Sequence, residues 1–495
     1  MKYIALDLGS SFMKSAVLDL ECRLLLDLSK EPTPPKIPTS NSRHYEVSAE
    51  AIADCVLRRI ELHMEQHSDI QGIVLSTQMH GFVLTDSLGK AITPYISWQD
   101  HRCLGAVEGE LMSGASTKTS TSEGSNRSAG SGEALSSFEQ LSRLAAGLQA
   151  TSGIRLTPRH AICNLYHYLR TDGQDICHMQ GVFFQTLGSY ITHRLTGEHA
   201  THLTNAAATG CVDIVNGQWN ESLIAVADCG FLKFPEIRRE TEVVGVYPSG
   251  RGPIAVYPDI GDHQATVLGC FATAQEDATI TLGTAGIISC IDLDWSASGV
   301  SYEVRPYFEG QFLNTITQLP GGRNLDVLIH FVQSIASELL GMKVTEEHIW
   351  QGVYQLLEQV PAPETGSGLQ LELGFYQEQR GVDKGMITGI DSDNLRAATL
   401  FAAAFDNLAD VYRRMLHVLC GDNKRLQRII FSGGLVSRNQ ALREKLTEKM
   451  GLPSSLSPYP EESLAGLFRL GLVCSGLCRN LEETERYLSD IGLSQ

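Results

Sequence analysis

Apolar and polar residues alternate over the first twenty positions, through "YIALDL" (3–8), "GSSF" (9–12) and "MKSAVLDL" (13–20). Period-two alternation on both sides of a Gly-Ser turn predicts an antiparallel hairpin. The same pattern returns near mid-chain, with "ATITL", "GTAG" and "IISCIDL" over 278–293. Two hairpins half a chain apart predict two related halves, each bringing a Gly-Ser/Thr turn to a shared cleft. They share few residues, so the duplication rests on pattern.

Between the hairpins the period changes. Residues 49–67 and 139–149 carry apolar positions at helical spacing, and "GIVLSTQMHGFVLTD" (72–86) reads as strand, loop and strand. Over 393–420 apolar residues recur at helical spacing, through Leu395, Leu400, Phe401, Phe405, Leu408, Val411, Tyr412, Met415 and Leu416, predicting one long amphipathic helix. "RIIFSGGLVSRNQALREKLTEKMG" then reads as a strand, a double-glycine turn and a helix. Ser/Gly/Thr-rich 113–133 interrupts the first half as a surface insertion, and "PAPETGSG" (361–368) is a shorter break. The expected architecture is α/β, in two domains over 1–251 and 252–495.

Composition narrows the function classes. A chain of 495 residues with 43% apolar residues supports two ordinary globular cores. A formal charge of −18 argues against a nucleic-acid partner, which needs a basic footprint. No apolar run is long enough for a signal segment or a membrane span, so a soluble cytoplasmic protein without a membrane partner is expected. The twelve cysteines are too dispersed for a disulfide framework and read as reduced thiols. Cys474 and Cys478, four apart, read as sharing one face of a buried helix.

Candidate chemistry gathers at the turns. A Gly-Ser/Thr turn exposes backbone N–H groups beside hydroxyls, which suits phosphate oxygens. Asp7 precedes the first turn and Lys14 follows it; a carboxylate beside a phosphate cradle implies a mediating Mg²⁺, or else an ordinary surface aspartate. Gly433 and Gly434 would let a ring or ribose approach the backbone, or simply form a tight strand-to-helix turn. Met79 and His80 lie in a loop after a strand end, and "WQDHRC" packs Trp98, Asp100 and Arg102 into a polar cluster, as a sugar-binding floor would. No ligand spacing supports a metal site on His80, His101 and His263. In "VYPDIGDHQATVLGC" (256–270), Asp262 heads a helical segment, where it is either a helix cap or the group that accepts a substrate proton.

In order, "ALDLGSSFMK", "STQMHG", "ISWQDHRC", "SYITHRLTGE", "NAAATGCVDI", "GDHQATVLG", "TLGTAGI", "GMITGI" and "FSGGLVSRNQALREKL" resemble the FGGY carbohydrate kinases, the family of xylulokinase, glycerol kinase and sedoheptulokinase. "QMHG" and "WQD.R" look most like its ketose-kinase branch, and "GDHQA" with "LPGGRNLDVLIHF" leans toward sedoheptulokinases. The resemblance implies two ribonuclease H-like domains of the actin and hexokinase type around a central cleft. It further implies transfer of the γ-phosphoryl group of ATP to a ketose hydroxyl. By resemblance Asp262 is the general base and Asp7 lies by the Mg²⁺. Ser10, Ser11, Lys14, Gly283 and Thr284 belong to the phosphate turns. Met79, His80, Trp98 and Asp100 match the sugar side. Gly321, Gly322, Gly433, Gly434 and Asn439 match the nucleotide side.

Some stretches depart from the family. His263 stands where relatives carry an amide or an apolar residue, and it is expected to touch substrate. "CNLYHYLR" (163–170) lacks a common Lys and Trp, and "FYQEQRGV" (375–382) replaces Gly-Glu-Arg. Expected partners are the sugar and ATP, with a homodimer left open. The competing readings are an inactive nucleotide-dependent sugar sensor and an actin-like or chaperone-like ATPase on the same superfold.

Overall fold

The computed structural model describes residues 1–106, 135–295, 302–359, 368–376, 384–421 and 425–489. They form two compact units, Met1–Asp262 with Cys474–Leu477, and His263–Val473 continued from Cys478. The Ser/Gly/Thr-rich insertion expected at 113–133 and nearly all of "PAPETGSG" lie outside the described residues.

In the first unit, strand Lys2–Leu8 runs antiparallel to Phe12–Asp19, which in turn pairs antiparallel with Leu24–Pro32. On its other side it runs parallel to Ile70–Thr77, the two joined through helix Ala49–Gln66. Gly252–Val256 adds a parallel strand and Gly245–Ser249 closes the sheet. The helix starts where Ser48 caps it, its side chain accepting from Ala51 N–H. It lays Ile52, Ala53, Val56 and Ile60 on a sheet face built from Ile4, Leu6, Ile73 and Leu75. Each fully buried aliphatic side chain of this kind contributes roughly 1.5–3 kcal/mol.

The second unit repeats the plan. Asp277–Leu282 pairs antiparallel with Gly286–Asp292, which pairs with Phe312–Leu319. Helix Ala397–Cys420 then leads to Arg428–Ser432, parallel to Asp277–Leu282, and Ser454–Leu456 follows as a further parallel strand. Leu400, Phe401, Phe405, Leu408, Tyr412 and Leu416 supply that helix's buried stripe. Three antiparallel strands, a helical crossover and parallel strands on the far side make the ribonuclease H-like arrangement. It occurs twice.

Local readings differ from the structure in three places. The helix expected over 139–149 is two, Ser137–Leu144 and Ala146–Ser152, and the first begins at a capping box between Ser136 and Glu139. Past the double glycine, Gly434–Arg438 and Gln440–Met450 are separate helices because Asn439 leaves helical geometry and caps the second. Cys474 is the last residue of helix Glu462–Cys474 and Cys478 lies beyond it, so the two do not share a helix face.

Candidate active site

Register within the first unit brings three candidate segments together. Asp7 sits beside Ser76 and Leu8 beside Thr77 on the neighbouring strand. On that strand's other edge, Ile260 pairs with Ser76 and Gly261 with Thr77. Asp262 therefore emerges two strands from Asp7 and two residues further along, on the order of 10 Å across the sheet. It is the first residue of helix Asp262–Gly269 and is half-buried.

Asp7 is a buried carboxylate. Ser76 Oγ donates to its Oδ1 at 2.8 Å, and Lys14 Nζ, directly across the hairpin, lies 3.8 Å from its Oδ2. In the turn between them Thr33 takes up the carbonyls, through Oγ1 to Gly9 O at 2.8 Å and through its N–H to Ser11 O at 3.1 Å. The amides of Ser10 and Ser11 have no hydrogen-bond partner among the described residues. A turn with two of its carbonyls used and two of its N–H donors left over is suited to an anion.

The 79–81 loop is tightly determined. Met79 is buried, and His80 holds a left-handed φ of 68°, a conformation that costs a non-glycine residue on the order of 1 kcal/mol or more. Its ring lies 5.4 Å from that of His160. Gly81 is glycine for a packing reason, since a Cβ there would stand 2.3 Å from Tyr95 Oη. Burial, and then the charge of Asp262, hold the Tyr95 hydroxyl well above the usual tyrosine range. Tyr95 thus packs against the 79–81 loop within electrostatic reach of Asp262. Trp98, three residues further, is half-buried.

The second unit's turn follows the same logic with different atoms. The N–H groups of Gly322 and Arg323 donate to Gly283 O at 2.9 Å and Thr284 O at 3.0 Å. Thr284 and Ala285 are exposed, and their amides have no hydrogen-bond partner among the described residues. Gly321 allows this approach, because its Cβ would meet Gly283 O at 2.9 Å. Gly433, at φ 88°, lies under the strand end, where a Cβ would meet Leu282 O at 2.6 Å, while Gly434 faces open space.

Three of the expected ligand-side residues are buried and hydrogen-bonded within the protein. Asp100 is fully buried, and its oxygens accept from Arg102 Nε and N–H, Arg102 Nη2 and Tyr45 N–H at 2.7–2.9 Å. It anchors its own loop through a buried ion pair that Glu46 extends. His263 is buried too, with Nε2 3.1 Å from Ser289 Oγ and Nδ1 3.2 Å from Arg305 Nη1. Burial, then the Arg305 guanidinium, hold the imidazole down at about 3. Within its own unit the ring is thus held between Ser289 and Arg305. Asn439 is buried and spends its Oδ1 on Leu442 N–H as a helix cap.

A family model describing the N-terminal domain of the FGGY family of carbohydrate kinases matches residues 2–134 and 124–269, more than half of the chain. The chain belongs to the FGGY family of carbohydrate kinases. This FGGY chain is 22% identical to xylulose kinase of Escherichia coli over 293 residues, 58% of its own length and 53% of the relative's. With glycerol kinase of Agrobacterium fabrum it shares 26% over 297 residues, 58% of its own length and 54% of the relative's. It thus spans about half the length of the curated relatives it matches. Whole-chain likeness appears in structure. A xylulose kinase from Rhodospirillum rubrum superposes with a TM-score of 0.79 at 19% identity, covering 97% of this chain and 91% of that one. A gluconate kinase from Lactobacillus acidophilus gives 0.77 at 16%, covering 98% and 92%. At such identities these neighbours speak for the fold alone.

Proposed function

We propose that this FGGY chain transfers the γ-phosphoryl group of ATP to a hydroxyl of a ketose of the xylulose or sedoheptulose kind. The observation that carries the reading is the placement of Asp7 and Asp262 at strand ends on either side of Ile70–Thr77 in one sheet, inside the stretch that the family's N-terminal domain covers. Met79, His80 and Trp98 belong to the sugar's side. The turns with Ser10, Ser11, Gly283 and Thr284 offer N–H donors to phosphates; on the nucleotide's side Gly321, Gly322 and Gly433 let the backbone pack closely, and Gly434 leaves open space beside it.

Phosphoryl transfer relies mainly on positioning and charge neutralisation. A carboxylate is too weak a base to deprotonate an alcohol early. Asp262 orients the attacking oxygen and accepts its proton late, once bonding to phosphorus has acidified it. Magnesium fits the residues present: it keeps several waters and phosphate oxygens and needs only one or two carboxylates. Asp7, buried and pinned by Ser76, would hold it, and the ion would offset charge on the phosphates. Among the described residues no cluster of three His, Cys, Asp or Glu side chains could bind a metal alone.

A cytoplasmic protein is the accompanying reading. All twelve cysteines are free thiols, and among the described residues no helix is long and apolar enough to cross a membrane. The decisive assay is ADP release across C5–C7 ketoses and polyols, repeated with Asp262→Asn. Sugar-dependent release that vanishes in the variant, with ATP binding retained, is expected. ATP consumption that ignores sugar and survives the substitution would overturn the reading.

A further inference from the structure

Three residues ahead of Asp262 stands a carboxylate to which the chemistry above gives no part. Asp259 is completely buried. Its Oδ2 accepts from Asn205 Nδ2 at 2.7 Å and from Thr186 Oγ1 and Thr201 Oγ1, each at 3.2 Å. These donors come from three elements: Thr186 caps helix Leu187–Thr196, Thr201 lies in strand Ala200–His202, and Asn205 lies in helix Leu203–Ala208. Asn205 Nδ2 also reaches Thr77 Oγ1 at 3.1 Å, at the end of the strand that leads into Met79 and His80. Thr204, next to Asn205, holds the same loop a second way: its Oγ1 accepts from Gly261 N–H at 3.0 Å. The helix start packs against Asp259 because residue 188 is glycine; a Cβ there would stand 2.2 Å from the Asp259 carboxyl.

We propose, on the footing of the kinase reading, that Asp259 is a positioning residue. Its carboxylate clamps loop Pro258–Asp262 to the strand end carrying Met79 and His80, and so sets Asp262 against the sugar's side of the site. One group can do this because Asn205 bridges the two segments, with Asp259 on one side and Thr77 on the other. A buried carboxylate is costly to keep ionised, and burial raises this one to about 6 despite its three donors and the nearby His202. A loop needing only to be filled would be served by an apolar side chain.

The test compares Asp259→Leu, which fills the space without accepting, with Asp259→Asn, whose Oδ1 accepts from the same three donors. Asp259→Leu should lower kcat on the order of ten- to a hundred-fold, the range a misplaced catalytic group produces, with the KM for ATP within about two-fold. Asp259→Asn should keep kcat within roughly three-fold of wild type. Asn205→Ala and Thr201→Val weaken the clamp from the other side, leave Asp259 in place, and carry the test should Asp259→Leu not fold. Hydrogen exchange in Asn205→Ala, read without turnover, should quicken at both 77–82 and 257–263. Wild-type kcat in folded Asp259→Leu, an equal loss in Asp259→Asn, or unchanged kcat in both donor variants overturns the clamp. Unchanged exchange at either segment does so too. A wild-type protein that phosphorylates no sugar sinks the kinase reading instead, and the exchange result still decides the clamp.

Discussion

The two ribonuclease H-like units place different chemistry at one topological position. In the first, Asp7 stands beside Ser76 at the end of the central strand, and Ser76 Oγ donates to its carboxylate at 2.8 Å. In the second, Thr281 stands beside Ser432 at the matching place, and the two hydroxyls are 2.8 Å apart. Across the hairpin, Asp7 faces Lys14 where Thr281 faces Ile287. The first unit fixes its turn with side chains around a charge. The second does so with backbone against glycine, through Gly321 and Gly433. One fold, used twice, thus keeps its outward N–H donors in both copies and confines the carboxylate to one.

The largest expected effect tests that division. Asp7→Asn keeps an acceptor for Ser76, so the melting temperature should scarcely move, while turnover falls roughly a hundred- to a thousand-fold, as when one preorganised charge-stabilising group is lost. Thr281→Val should leave turnover within about three-fold. Equal losses from the two variants, measured as kcat at saturating ATP and magnesium, would erase the distinction between the units.

How much of this is legible in the chain follows from where the partners lie. The hairpins, helix Ala49–Gln66 and helix Ala397–Cys420 depend on local periodicity and are readable from it. The repeated strand order is signalled by two short turns alone. Ser136 and Glu139 form a readable capping box that corrects the 139–149 helix. Asp259 is visible only as a turn residue, because its donors lie 54, 58 and 73 residues away. The burial of Asp100 and His263 is hidden likewise. Nothing in the local pattern signals that Arg102 pairs with the first, or that Ser289 and Arg305 flank the second.

Two buried titratable groups, one in each unit, oppose each other in pH dependence. Asp259 is raised from an ordinary 3.8 to about 6, so the neutral form suits the fold. The stability it contributes is complete below about pH 4 and is lost as pH rises through 6, up to about 3 kcal/mol. His263 is lowered from 6.5 to about 3, so its contribution is complete above about pH 6.5 and is lost as pH falls toward 3. Relative to wild type, Asp259→Asn should gain melting temperature most at pH 7 and least at pH 4. His263→Gln should show the reverse trend. Differences that stay flat with pH would count against either assignment.

Glycine contacts sharpen the contrast at smaller cost. Gly433→Ala forces a Cβ into a left-handed backbone and 2.6 Å from Leu282 O, and should lose about 2 kcal/mol. Gly434→Ala, with nothing within 4 Å, should stay within about 0.5 kcal/mol. Urea unfolding separates the two.

The smallest effect asks what the neutral position is for. If Thr281 and Ser432 serve the second unit only as a hydrogen-bonded pair, removing either hydroxyl costs about 1 kcal/mol. Removing both should then cost little more, because neither leaves a partner unsatisfied. Thr281→Val, Ser432→Ala and the double variant form a cycle whose coupling should be of that size in unfolding and absent in kcat. Coupling that appears in kcat instead would give the second hairpin's hydroxyls a part in the reaction, and the carboxylate of the first unit would no longer be what sets the two copies apart.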